Sequence, residues 1–194
     1  MGRKLTFCKK EALENSMHLF WRKGYEATTM RDIAAALGVP VASVYHSFGD
    51  KKSIFMATLD GYFERYVKPN FEALLARDNA RLALLDMFHA LAGQCDDDAM
   101  PVRCYLVQTA NDLTNADPEL AANIREKLDY IRLQIKALVK KARRNKQLVT
   151  RETSENLTHY LFITMLAVKI WSRSGTDAQM TRQYLRLALK PLAA

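Results

Sequence analysis

The stretch IAAALGVPVASVYHSFGDKK, Ile33 to Lys52, decides how the start of the chain folds. Within it a small residue, Ala34, is followed four positions on by Gly38 and six further by the β-branched Val44. That spacing suits two short helices crossing at a tight turn, and each residue type has a steric reason. Two helices approach closely at Ala34, where a larger side chain would push them apart. Gly38 can take the positive φ that the turn requires. Val44 anchors the second helix inward beside Ile33 and Leu37. Val41, Ala42, Ser43, Tyr45 and His46 are then left to face a DNA major groove, as in a helix-turn-helix. The same triplet also suits an ordinary pair of antiparallel helices, so the neighbouring residues have to separate the two readings.

Lys51 and Lys52 do so. They occupy the first turn of a helix that begins after Asp50, where the macrodipole repels cations. A phosphate placed there gains both lysine charges and the free N–H groups of the helix start. The hydroxyls of Tyr45 and of Thr28 or Thr29, at the preceding helix start, can donate to phosphates as well. Val41 and Ala42 suit contact with thymine methyl groups more than hydrogen-bonded readout.

The longer stretch FWRKGYEATTMRDIAAALGVPVASVYHSFGDKKSIF, Phe20 to Phe55, resembles the DNA-binding signature of the TetR family of bacterial transcriptional regulators. The match runs almost continuously over residues 13–55. Downstream, MPVRCYLVQTANDLTNADPELAANIREKL, Met100 to Leu128, is similar to the sixth-to-seventh helix region of many members. The resemblance implies a homodimer that binds a palindromic double-stranded operator, most often as a repressor, and is released by a small-molecule effector. It puts Thr29, Tyr45, His46 and Lys51 at positions that meet the phosphate backbone, and Val41, Ala42 and Ser43 at positions that face bases. Two departures stand out. Pro40-Val41 replaces a polar pair common in relatives, which removes a hydrogen-bonding reader. Cys8 stands where relatives often have an aspartate.

The bulk properties agree with an acidic partner. The 194-residue chain carries a formal net charge of +8, and such a balance favours nucleic acid over an acidic substrate. The start, MGRKLTFCKKEALE, has no apolar stretch of signal-peptide length, so export is not expected. No apolar run approaches the ~20 residues of a membrane span. Three cysteines without a CxxC spacing suit reduced thiols in a cytoplasm. There is no glycine-rich phosphate loop, HExxH or nucleophile elbow, so catalysis is not expected. No cofactor is expected either, and His18, His46, His89 and His159 lack the spacing of metal ligands.

The periodicity predicts an all-α chain of about nine helices, near 9–23, 30–37, 41–47, 51–67, 80–92, 102–113, 118–146, 151–173 and 177–190. The fourth is expected to stop before Pro69. Thr29 with Asp32 and Thr176 with Gln179 read as capping boxes, and Asp117-Pro118 as a cap followed by a first-turn proline. The three short helices point to a helix-turn-helix DNA-binding domain over 1–50. An effector-binding and dimerisation domain is expected over 51–194.

In that second domain, aromatic and methionine side chains beside a few polar groups suggest a ligand pocket. The candidates are Phe63, Tyr66, Met87, Phe88, Leu91, Tyr105, Gln108, Thr109, Phe162 and Met165. Plain core packing is the alternative for each of them. The eighth helix is apolar nearly all round, which calls for a partner beyond its own core. With the ninth it is expected to form a dimer interface through Leu157, Leu161, Met165, Val168, Met180, Tyr184 and Leu187. A redox sensor using Cys8 or Cys104 is one alternative. Cys8 lies among Lys4, Lys9 and Lys10, and Cys104 matches a position where relatives often have cysteine. A DNA-binding protein with no small-molecule effector is the other. The basic run from Lys136 to Arg151 and the acids Asp96, Asp97 and Asp98 are expected to be solvated.

Overall fold

The computed structural model describes residues 8–93, 104–113, 117–171 and 178–192, and every regular element among them is helical. α1 is Lys9–Lys23, α2 Met30–Leu37 and α3 Val41–Phe48. α4 begins as Lys51–Tyr62, widens into a π-helical turn over Phe63–Val67 and continues as Lys68–Ala76. α5 is Ala80–Gly93, α6 Tyr105–Leu113, α7 Pro118–Arg144, α8 Ser154–Trp171 and α9 Ala178–Ala188, followed by a short 3-10 turn Lys190–Leu192. Asp96 to Asp98 and Thr176, the start of one expected capping box, lie outside the described residues.

Local chemistry sets the boundaries. At the start of α2 the Asp32 N–H donates to Thr29 Oγ1 at 3.1 Å, and the Thr29 N–H donates back to Asp32 Oδ2 at 2.7 Å. This capping box satisfies two donors that the first turn would otherwise leave open. α2 ends at Gly38, in the left-handed region at φ 65° and ψ 30°. The N–H groups of Gly38 and Val39 then close onto the carbonyls of Ala35 and Ala34. α7 opens on Asp117, whose Oδ1 accepts from the N–H groups of Glu119 and Leu120, with Pro118 at a position that needs no donor.

The fourth helix corrects the expectation that Pro69 ends it. The backbone at Phe63 and Val67 stays right-handed helical, at φ −63° and −84°. The π turn shifts the hydrogen-bond ladder, so Pro69 falls in the first turn of the continuing α-helical piece. A proline there removes no bond that the ladder requires.

The core is one contiguous cluster that includes residues on both sides of residue 50. Ile33, Ala34 and Val44 close the small unit of α1 to α3, with Ile33 and Val44 wholly buried. α1 then packs on α4 through Met17, Phe20 and Trp21. Further along, Ile124, Ile131, Ile135 and Leu138 of α7 meet α8 and α5. Lys127 is the one charged group buried within α7, where its ammonium pairs with Asp60 of α4 at 2.5 Å and with Asn123 at 2.9 Å.

Removing the α2 cap with Thr29→Ala is expected to cost about 1 kcal/mol. Thermal melting should register this as a drop of about 2–4 °C. Asp32 adds a pH dependence. Hydrogen bonds from Lys23 and from Thr29 hold its carboxyl well below the usual carboxylate range. The ionised form therefore stabilises α2 above about pH 4, the ordinary range, and the contribution fades as pH falls further. Melts between about pH 7 and pH 3 should show a smaller acid loss for Asp32→Asn than for the natural protein.

Candidate nucleic-acid interface

α3 is held by one side and offers the other. Val44 is wholly buried and Val41 half-buried against the core, while Ala42, Tyr45 and His46 are exposed on the opposite face. Tyr45 is 51% exposed, well beyond what packing requires of a tyrosine. Ser43 is half-buried, and its carbonyl accepts from the Ser47 hydroxyl at 2.7 Å. Pro40 starts the helix in extended backbone, at φ −60° and ψ 144°, without a side-chain cap. Gly49 ends it at φ 81° and ψ −134°, a combination that side chains rarely adopt. Lys9 lies 5.5 Å from the centre of the Phe48 ring at the far end of α3.

The two threonines part company. Thr29 is exposed, and its hydroxyl donates to Asp32 at 2.7 Å. Thr28 is wholly buried, with its hydroxyl spent on the Gly24 carbonyl at 2.6 Å. Its expected phosphate contact is therefore corrected: Thr28 is a turn residue closed to a ligand.

The lysine pair also divides. Lys51 Nζ donates to the Tyr25 carbonyl at 3.0 Å and stands 4.3 Å over the Tyr25 ring, bracing the α1–α2 turn. Lys52 points the other way. Its Nζ lies 2.9 Å from Asp117 and 2.5 Å from Glu119, at the start of α7. Glu119 and then Asp117 hold the Lys52 ammonium well above its ordinary range, and Lys52 holds the Asp117 carboxyl below its own. For Lys52, the anion anticipated at this helix start is supplied by the chain itself.

The expected pocket residues are mostly core. Phe63, Met87, Phe88, Tyr105 and Met165 are buried, Leu91 and Phe162 are half-buried against the core, and Tyr66 is exposed. A narrow crevice brings together Tyr105, Gln108 and Thr109 with Phe20, Gly24, Tyr25 and Phe55, and has room for one water at most. Gln108 Nε2 donates to the Trp21 carbonyl at 3.1 Å, while Gln108 Oε1 and Trp21 Nε1 are buried without a hydrogen-bond partner. Thr109 donates to the Tyr105 carbonyl at 2.8 Å, and the Tyr105 hydroxyl pairs with Thr58 at 2.8 Å. Sequence reasoning missed Phe20, Tyr25 and Phe55 as lining of this crevice, because a packed aromatic looks the same in a core and at a site.

The expected dimer residues need correcting on α8. Leu157, Leu161, Met165 and Val168 form a stripe that is buried in the protein's own core. The outward apolar residues are Tyr160, Ile163, Ile170 and Trp171 instead. Met180, Tyr184 and Leu187 of α9 are exposed as expected, between 44% and 56%. The Tyr160 hydroxyl donates to the Ala188 carbonyl at 2.8 Å and ties the two helices together.

Cys8 is exposed at the start of α1, and Cys104 is buried with the Tyr62 hydroxyl donating toward its sulfur at 3.9 Å. Within the basic run, Lys136 pairs with Glu155, and Lys141 donates to the carbonyls of Leu75 and Arg77. Among the described residues, no helix is long and apolar enough to cross a membrane.

Residues 12–58 match the family described as "Bacterial regulatory proteins, tetR family". The HTH-type transcriptional repressor ComR of Escherichia coli (strain K12) is 29% identical over 127 residues, 65% of this chain. The uncharacterized HTH-type transcriptional regulator YezE of Bacillus subtilis (strain 168) is 29% identical over 121 residues, 62% of this chain. The matched parts amount to 60% and 62% of those relatives, less than two thirds of either. Among solved structures, CifR in complex with a 26-base-pair operator superposes with a TM-score of 0.79 at 21% identity, covering 97% of this chain and 98% of that one. The reduced form of NemR from E. coli superposes with a TM-score of 0.83 at 15% identity, over 92% of this chain and 94% of that one. Residues 12–58 thus carry the helix-turn-helix of the bacterial tetR regulatory family, and the chain as a whole shares the fold of these solved regulators.

Proposed function

We propose that this protein is a ligand-responsive transcriptional repressor that binds a palindromic operator as a homodimer and is released by a small molecule. The observation that carries the reading is α3: Val44 is locked inside while Ala42, Tyr45 and His46 stand outside on one continuous face. Phosphate contacts are assigned to Thr29, Tyr45, His46 and Lys51, and base contacts to Val41, Ala42 and Ser43. The Lys51 ammonium has three donors, and its bond to Tyr25 leaves the others for a phosphate. Repression is supported by ComR, a named repressor, and operator binding by the DNA complex of CifR.

A second copy of the chain is the proposed cover for the exposed face of α8 and α9. Tyr160, Ile163, Met180, Tyr184 and Leu187 present apolar surface there without burying it within the chain. Tertiary packing alone does not call for so much exposed apolar area on two adjacent helices. For the effector, Gln108 is the polar handle the structure favours. Its Oε1 lies buried at the crevice between α1, α4 and α6 and lacks a donor. A molecule entering there would touch both the DNA-binding unit and the core.

Two experiments test this. In gel shifts over a salt series, Lys51→Ala should lower the salt slope by about one charge, and Tyr45→Ala should weaken binding to all sequences by about 5-fold. A loss confined to one base change would reassign Tyr45 to readout. In sedimentation, Ile163→Asp with Leu187→Asp should yield monomers that no longer retain the operator. Leu133→Asp, a control at an exposed apolar residue on α7, should leave the dimer intact.

A further inference from the structure

We propose that Lys52 acts as a positioning residue: its ion pairs with Asp117 and Glu119 latch the start of α4 to the start of α7 and set the angle at which the helix-turn-helix unit leaves the core. This rests on the reading that two such units bind one operator.

Adjacent lysines at the head of α4 make the junction. Lys51 reaches back to the α1–α2 turn through the Tyr25 carbonyl and ring, while Lys52 reaches forward to α7. The first turn of α4 therefore holds the DNA-binding unit with one side chain and the core with the next. Asp117 is well placed for its part because its two oxygens have separate tasks. Oδ1 caps α7 by accepting from Glu119 and Leu120, and Oδ2 takes Lys52. The carboxylate cannot swing away without uncapping α7.

Electrostatics favours the arrangement. The N-termini of α4 and α7 converge here, bringing two positive helix ends and the Lys52 ammonium together. Asp117 and Glu119 lie between them and offset all three. Two turns further along α4 the polarity is reversed, with Asp60 of α4 accepting from Lys127 and Asn123 of α7. The two ties fix the rotation of α4 on α7 as well as its distance. Glu119 is 65% exposed, and the side chains of Lys52 and Asp117 keep 28% and 27% of their surface in solvent, so the cluster works through orientation more than through global stability.

The test uses the full chain and an operator-length duplex recovered by selecting random double-stranded DNA on the natural protein, alongside a duplex holding one half-site. Lys52→Met and the pair Asp117→Asn, Glu119→Gln are compared singly and combined; asparagine keeps the α7 cap. The latch predicts that both variants lose affinity for the full operator by a similar factor, about 5-fold or more. The combined variant should be no worse than either, the half-site affinity and salt slope should not change, and melting temperatures should stay within about 2 °C. If Lys52 instead meets a phosphate, Lys52→Met flattens the salt slope by about one charge and weakens the half-site too, while the acid-neutralised protein binds tighter. Either result overturns the latch. A natural protein with no preference for the full operator over the half-site would overturn the two-unit reading itself, and the latch with it.

Discussion

The architecture depends on an aromatic joint. Phe20, Trp21 and Tyr25 leave the DNA-binding unit and interlock with Phe55 and Tyr62 of α4 and Tyr105 of α6. The Phe20–Phe55 and Trp21–Tyr62 pairs meet edge to face, with centroids 4.8 and 5.5 Å apart. Contacts of this kind contribute about 0.5–1.5 kcal/mol each beyond the area they bury. A unit of three short helices is marginal on its own at this length. The joint lends it a core, and the packing runs across residue 50 without a gap.

The same joint holds the chain's least comfortable polar atoms. Trp21 Nε1 and Gln108 Oε1 are both buried and unpaired, although Gln108 makes a good bond to the Trp21 carbonyl with its other end. Each such atom costs roughly 1–3 kcal/mol relative to a paired one. That cost sits between the part that would meet DNA and the part that would meet an effector. The joint is thus tight in its rings and unsatisfied in its polar groups, and pairing either atom would relieve that cost.

What the sequence made legible follows from how local each requirement is. The cap at Thr29, the left-handed Gly38 and the inward Val44 each answer to residues within a few positions, and all three stand as read. Two failures have non-local causes. α4 passes Pro69 because a π turn, which leaves no mark in apolar periodicity, re-phases the helix ahead of it. α8 has apolar residues on every side, so no polar stripe identifies its solvent face. The stripe through Leu157 and Val168 and the one through Tyr160 and Ile163 look alike until α5 and α7 claim the first. The residues expected to line a pocket were hard to sort for a related reason. Phe63, Met87 and Phe88 are residue types that serve a core and a pocket equally, and packing density rather than composition tells them apart.

The lysine pair shows how far a local argument reaches. Two cations in the first turn of a helix oppose the dipole, and that cost implies a compensating anion. Nothing in Lys51 or Lys52 says whose anion it is. Charge repulsion separates the neighbours, and along one helix turn adjacent side chains point about 100° apart, so a single partner rarely serves both. One turned to the carbonyl and ring of Tyr25, where donors remain for DNA, and the other found carboxylates far along the chain at the head of α7. A regulator of this build needs both directions at once. In the proposed repressor, a grip on the operator carries information only if the gripping unit is also held to the core, and the head of α4 is the place where consecutive residues can do the two jobs.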